Sequence, residues 1–230
     1  MYNFNYNYEY PNLNYNIKTI NNCKCTKSYF RIFNSIFDSP NLDVYVNEMI
    51  MASNLKYGEF TKHVLFAPGN YRVTLYPSGS QNGAIFEGDI VIDRNLTYTG
   101  ALSGYISDLS EISIYMIPEA KETADMKQMS SLRLINLGLD SPSLELVVED
   151  GTILFSNLNY GDISSNIAIP STRYTLHLRA NSKNENILTA PNVDFAPKMH
   201  YTLFVIGNYG ENPKMELIIP EDGVNYLDIC

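Results

Sequence analysis

The stretch RIFNSIFDSPNLDVYV, residues 31–46, decides the fold, because most of it returns roughly one domain length later. Arg31-Ile-Phe-Asn34 comes back as Arg133-Leu-Ile-Asn136. Asp38-Ser39-Pro40 comes back as Asp140-Ser141-Pro142, and Leu42-Asp43-Val44 as Leu144-Glu145-Leu146. Further out, Asn54-Leu-Lys-Tyr-Gly-Glu59 matches Asn157-Leu-Asn-Tyr-Gly-Asp162, and Tyr98-Thr99 matches Tyr201-Thr202. Pro68, Tyr71 and Pro118 answer to Pro170, Tyr174 and Pro220. The offset stays at 102–103 throughout, which marks an internal duplication. Two tandem homologous domains follow, residues 28–119 and 130–222. A linker over 120–129 is short and charged, suited to one or two helical turns or a semi-rigid spacer. An N-terminal connector (1–27) and a C-terminal tail (223–230) flank them.

Inside each repeat the hydrophobic period is two. Leu42, Val44 and Val46 alternate with Asp43, Tyr45 and Asn47. Tyr71, Val73 and Leu75 alternate with Arg72, Thr74 and Tyr76, and Tyr174, Leu176 and Leu178 with Thr175, His177 and Arg179. Met215, Leu217 and Ile219 continue the pattern. Such runs read as half-buried strands, and Pro68-Gly69-Asn70, Pro77-Ser-Gly79 and Asn82-Gly83 punctuate them as turns. Helical periodicity is nearly absent. Seven or so short strands per repeat predict an all-β chain of two tandem antiparallel, Ig-like β-sandwiches with an extended N-terminal connector.

The runs RIFNSIFDSPNLDVYV, SNLKYGE, APGNYRVTLYPSG and LTYTGAL resemble the bacterial domain-of-unknown-function family 4397. The resemblance covers both repeats, residues 28–222, and leaves out the first 27 residues and the last eight. It implies tandem β-sandwiches of cell-surface or envelope-associated proteins and carries over no catalytic residue. The second repeat departs from the pattern at Ser171-Thr172, where a Pro-Gly turn is expected.

Composition narrows the function. With 45% hydrophobic and 18% charged residues over 230 positions, the chain is globular. A net charge of −9 removes the basic patch that nucleic-acid binding needs. No apolar run is long enough for a transmembrane helix, and the sequence opens without the basic and apolar regions of a secretory signal. Membrane insertion is therefore not expected.

The ends carry the sharpest signals. Tyr2, Phe4, Tyr6, Tyr8 and Tyr10 alternate strictly with Asn3, Asn5, Asn7 and Glu9 before Pro11, so one side of a strand would be wholly aromatic. A lone strand must pair with its own sheet or with a neighbour's edge; the alternative is a low-complexity tail. The three cysteines, Cys23, Cys25 and Cys230, all lie outside the repeats. Their odd number and terminal placement suggest intermolecular disulfides, Cys230 of one subunit with Cys23 or Cys25 of the next; three inert thiols are the other reading. Cys-Lys-Cys is too tight for a zinc half-site and has no second ligand pair, so no metal or cofactor is expected.

Elsewhere the chemistry is thin. Asp38 and Asp140, with Asp43 and Glu145 five residues on, offer paired carboxylates, but Asp before Ser-Pro is also a turn former, and its recurrence favours a fold device. His63 and His177 do not occupy matching positions. Asn95-Leu-Thr97 is a glycosylation sequon. No nucleophile, zinc-protease or phosphate-loop motif occurs. Tyr45 and Tyr76 should face outward and could stack on sugars or on a neighbouring subunit.

The expectation is a non-enzymatic structural subunit that joins copies of itself, and other spore-surface proteins, into a disulfide-linked bacterial fibre or layer on the endospore surface. This assembly logic resembles that of spore appendage subunits with N-terminal cysteine connectors. The alternative is a carbohydrate- or protein-binding adhesion module at the cell surface.

Overall fold

The computed structural model describes residues 27–120, 127–181, 183, 185–210 and 213–228. Among the described residues, sixteen strands form four four-stranded sheets, two per repeat. In the first repeat, β1 (Ser28–Asn34), β4 (Val64–Phe66), β7 (Thr97–Tyr105) and β8 (Asp108–Pro118) make one sheet in the order β4-β1-β7-β8. Its partner sheet, β3-β2-β5-β6, uses β2 (Leu42–Val46), β3 (Met49–Leu55), β5 (Gly69–Pro77) and β6 (Phe86–Ile92). The second repeat copies both orders. One of its sheets is β12-β9-β15-β16, from β9 (Met129–Asn136), β12 (Ile167–Pro170), β15 (His200–Ile206) and β16 (Glu216–Ile218). The other is β11-β10-β13-β14, from β10 (Leu144–Val148), β11 (Ile153–Leu158), β13 (Arg173–Ala180) and β14 (Asn186–Asp194). Among the described residues there is no α-helix, only a 3₁₀ turn at Gly223–Asn225.

The duplicated, all-β architecture agrees with the sequence. Each repeat has eight strands, and most pairs are antiparallel. Two pairs are parallel: β1 with β7 and β9 with β15. The chain leaves β1, crosses to the partner sheet and returns, so β7 enters from the same pole as β1. A crossover of that kind is what a parallel pair requires.

The alternating residues fill each sandwich. Phe30, Ile32, Leu42, Val44, Val73 and Leu75 are fully buried in the first core. Leu132, Leu134, Leu144, Leu146 and Leu203 do the same in the second. The central strands β1, β7, β9 and β15 are buried on both faces. Their outward residues Phe33, Ala101, Ile135, Phe204 and Ile206 form a third core with Ile117 and Leu137. That core joins the repeats sheet to sheet. Phe33 stacks on Phe60 at 4.0 Å and tilts against Phe204 at 5.0 Å. Each fully buried large side chain here contributes about 1.5–3 kcal/mol, so the repeats form a four-layered body rather than beads on a linker.

The recurrent motifs prove to be fold devices. Asn34 Nδ2 donates to Ser39 Oγ (3.2 Å) while its Oδ1 accepts from Ile36 N–H (3.1 Å); Asn136 repeats both bonds with Ser141 and Gly138. In the Asn-Leu-x-Tyr-Gly motif, Asn54 and Asn157 adopt φ of 58° and 60°, and Gly58 and Gly161 adopt 77° and 83°. Those left-handed positions favour Asn and Gly. The Glu59 and Asp162 carboxylates then accept from the N–H of Lys56 and Asn159.

Candidate functional site

The chemistry-bearing side chains meet at one pole of the inter-repeat seam. Arg31 and Arg133 are the fourth and fifth residues of β1 and β9, surrounded by apolar neighbours and facing the seam. Each Nε donates to a threonine of the neighbouring parallel strand, Arg31 to Thr99 (2.8 Å) and Arg133 to Thr202 (2.9 Å). Each threonine hydroxyl donates in turn to a carboxylate, Thr99 to Glu119 (2.5 Å) and Thr202 to Asp222 (2.6 Å).

The two triads then cross. Glu119 Oε2 accepts from Gly223 N–H (2.5 Å), and Asp222 Oδ2 from Ala120 N–H (3.2 Å). Arg31 donates to the Glu221 carbonyl (3.2 Å), and Arg133 to the Pro118 carbonyl (2.7 Å). Each repeat thus supplies an arginine and a carboxylate to the backbone that flanks the other's carboxylate. The arrangement is a pseudo-twofold clasp, the intramolecular counterpart of an isologous interface. In this geometry Pro118 answers to Glu221, one residue beyond the Pro118–Pro220 match read from the sequence.

Glu119 gathers more than its counterpart. Its Oε1 sits 3.0 Å from Arg31 Nη2 and 3.1 Å from His63 Nε2. His63 Nδ1 lies 2.9 Å from the Tyr226 hydroxyl. With Nε2–H donating to Glu119, Nδ1 accepts from Tyr226. Burial works to raise the Glu119 carboxyl, but the hydrogen bond from His63 and the Arg31 charge prevail and hold it at about 2. Asp222 stands 3.9 Å from Arg133 Nη2, an ion pair too long for a hydrogen bond. Burial lowers the Arg133 guanidinium against the pull of Asp222.

The Tyr226–His63–Glu119 file has the donor order of a catalytic relay. Yet the Glu119 and Asp222 side chains are 0% and 1% exposed, and four donors converge on Glu119. A carboxylate so enclosed has no lone pair to turn toward a substrate. The clasp holds the seam.

A cleft of about 970 Å³ opens elsewhere along the same seam, with residues 110–116 of β8 on one wall and residues 139–141 and 160–163 of the second repeat on the other. Tyr115 and Tyr160 meet edge to face at 6.4 Å across it. Tyr160 shares a 3.0 Å hydrogen bond with Ser103, and Tyr105 donates to Asp140 (2.7 Å).

The carboxylates singled out in the sequence separate. Asp43 accepts from Gly79 N–H, Asn54 N–H and the Ser78 hydroxyl, with the Gly79 bond doing most to hold its carboxyl low. Asp38 accepts from Ile106 N–H, while Asp140 faces Tyr105. All serve loops or the seam. Tyr45 and Tyr76 face each other edge to face at 5.6 Å, and so partner one another. His177 bonds Thr189 on a strand surface. Among the described residues no group of three His, Cys, Asp or Glu is placed to hold a metal, and no helix is long and apolar enough to cross a membrane. The clasp was not singled out from the sequence. Its signal was an arginine recurring in the middle of two apolar strands, with a threonine recurring on the strand beside it.

Cys23, Cys25 and Cys230, and the connector residues Tyr2, Phe4, Tyr6, Tyr8 and Tyr10, lie outside the described residues. The points where the chain leaves the body are described. Tyr29 pairs with Thr97, a β-carbon on Gly223 would lie 3.0 Å from Thr97 Cγ2, and Tyr226 reaches Arg31 and His63. Lys27 and Asp228 therefore leave from one pole, that of the clasp. The tail after β16 folds back across the start of β1.

The family model for Domain of unknown function (DUF4397) matches residues 28–147 and 130–226, across both repeats. No curated protein matches the chain at a significant level. Solved structures that are similar include a family 26 carbohydrate-binding module of Eubacterium rectale Amy13K in complex with maltoheptaose: 10% identity, TM-score 0.26, 85% of this chain and 96% of that chain covered. The Bacillus anthracis TIE protein gives 11% identity, TM-score 0.24 and coverage of 83% and 34%. A candidate cell adhesion protein of Bacteroides ovatus ATCC 8483 gives 11%, 0.25, 85% and 95%. At these scores the likenesses assign no function.

Proposed function

This chain belongs to the DUF4397 family, and we propose that it is a non-enzymatic structural subunit that joins copies of itself at a bacterial surface, foremost that of the endospore as coat, exosporium or appendage. The observation that carries this reading is the division of labour in the molecule. The buried arginines and carboxylates of the seam, Arg31, Glu119, Arg133 and Asp222, are committed to the clasp, while all three cysteines fall in the segments that leave the body at the clasp pole.

Cys25 stands two residues before Lys27 and Cys230 two after Asp228, each within about 7 Å of its point of exit. Exits at one pole favour a joint in which Cys230 of one subunit bonds Cys23 or Cys25 of another. A pole-to-pole joint alone is isologous and closes as a dimer. Growth into a fibre or layer needs a second, heterologous contact, and residues 1–27 supply it by adding a strand to a neighbour. Oxidising surroundings after mother-cell lysis would form the bonds.

Gel electrophoresis without reductant, beside electron microscopy, tests the reading. It expects dimers and higher ladders that collapse on reduction and that are lost in Cys230→Ser. Monomers throughout oxidised material would overturn it.

The cleft beside β8 favours a second reading, a glycan-binding adhesion module, because Tyr115 and Tyr160 set aromatic rings among carboxylates and hydroxyls there. Retardation of the reduced protein in gels containing maltoheptaose, cellohexaose or chitohexaose, lost in Tyr160→Ala, would support it.

A further inference from the structure

We infer that the cleft beside β8 is the seat of the chain's own N-terminal segment, residues 2–10, added as a strand to the β8 edge. The inference concerns the isolated subunit and stands whether or not subunits join.

An open sheet edge invites pairing with any passing strand, and proteins normally blunt it with proline, charge, bulges or short length. Among the described residues, seven of the eight edge strands are blunted. β4 and β16 have three residues each. β3 and β11 kink at the positive-φ residues Asn54 and Asn157, and β14 at Pro191 and Asn192. β12 ends on Pro170, and β6 exposes Glu87 and Asp89. β8 is different. It runs for eleven residues, and from Ile112 to Ile117 it has neither charge nor proline.

The backbone polarity of β8 follows from its register. Glu119 N–H bonds the Thr97 carbonyl, and Ile117 and Ser113 pair with Thr99 and Ser103. Along a strand, backbone groups alternate sides. The N–H and C=O of Ile114 and Met116 therefore point away from β7, into the edge. Pro118, which has no N–H to lose, ends the outward series.

Beyond that edge the second repeat supplies a floor, where Tyr160 is 38% and Ile163 40% exposed. An added strand would lay one face on this floor and turn the other to solvent. Residues 2–10 have that two-sided character, with Tyr2, Phe4, Tyr6, Tyr8 and Tyr10 on one face and Asn3, Asn5, Asn7 and Glu9 on the other. Their nine residues match the length from Ser110 to Pro118.

Reach is sufficient. Met116 pairs with Gly100, which pairs with Ile32, five residues from Lys27. The near end of the cleft is thus about 20 Å from the point where the chain leaves the body. The stretch between Tyr10 and Lys27 can span about 55 Å. Such a tether holds the segment at an effective concentration in the millimolar range, which favours a subunit's own segment over another's until subunits crowd. Exchange of the same strand between copies would then be a domain swap.

Amide hydrogen exchange resolved by residue tests this, on the full chain kept reduced and monomeric by light scattering. The comparison is the full-length double variant Tyr6→Asp, Tyr8→Asp, which charges the aromatic face without touching the body. The expected result is exchange at Ile114 and Met116 at least about 10-fold faster in the variant, with Ser113 and Ile117 unchanged. Equal rates at Ile114 and Met116 in the two proteins would overturn the inference. So would a uniform rise at all four amides, which would mean general loosening. Slow exchange that appears only at concentrations where dimers form would also overturn it, by assigning the strand to a second copy. Equal shielding of both proteins by added maltoheptaose would assign the cleft to glycan instead.

Discussion

The two repeats share strand order, parallel central pair, turn motifs and the Arg-Thr-carboxylate triad, yet they treat the seam unequally. In the first, Glu119 is long enough to meet Arg31 at 3.0 Å and His63 at 3.1 Å. In the second, the shorter Asp222 stops 3.9 Å from Arg133, and Arg133 Nη2 has no hydrogen-bond partner among the described residues. The first repeat ends in an eleven-residue strand, the second in one of three. A duplicated fold keeps its backbone devices in both copies and lets one side chain take over the shared electrostatics. Here one methylene decides which carboxylate comes within hydrogen-bond distance of its arginine.

The sharpest way to break this asymmetry is to remove each carboxylate. Glu119→Ala should destabilise by about 3–5 kcal/mol, because Arg31 is left buried without its counter-charge. Asp222→Ala should lose about 1–3 kcal/mol, through its hydrogen bonds to Thr202 and Ala120. Chemical denaturation of both variants checks the order. Equal losses would mean that the longer side chain confers no advantage.

Acid probes the same difference without mutation. The folded Glu119 carboxyl, at about 2, lies below its ordinary value of 4.5. Its contribution, about 3 kcal/mol, is therefore fully present above pH 4.5 and is lost as pH falls toward 2. Stability measured across that window should fall less steeply in Glu119→Gln than in the natural protein. Parallel curves would remove Glu119 from the acid response.

Asp43 tests a loop device. Asp43→Asn weakens bonds to Gly79, Asn54 and Ser78 and should lower stability by about 1 kcal/mol, read as a shift of the denaturation midpoint. The smallest contrast is between matching glycines. Gly58→Ala has open space but φ of 77°, so it should lose about 1–2 kcal/mol. Gly161→Ala, at φ of 83°, should lose slightly more, because its new methyl would lie 3.2 Å from the Tyr115 hydroxyl. A gain in thermal stability at either site would contradict the turn assignment.

Much of the body was legible in residues 31–46 and their echo, since period-two burial and turn chemistry are local. Leu42, Val44 and Val46 face the core as the alternation requires. The seam was not legible, because a period of two cannot say that the second face of a strand is also covered. Only the unbroken apolar runs around Arg31 and Arg133 hinted at it. Glu119 and Asp222 escaped notice because their partners sit on strands far along the chain, and His63 because its role has no copy in the second repeat. In Asp-Ser-Pro the local part is the bond of Ser39 and Ser141 to the nearby Asn34 and Asn136, whereas the Asp38 and Asp140 carboxylates reach Ile106 and Tyr105 far along the chain, beyond what turn chemistry could show.

The shared point of entry and departure makes the double sandwich a module that can be threaded into another polypeptide. A host chain could detour through all four layers and resume almost where it left off, so this body can be spliced into a surface loop, or its ends fused and reopened elsewhere, without unpairing any strand.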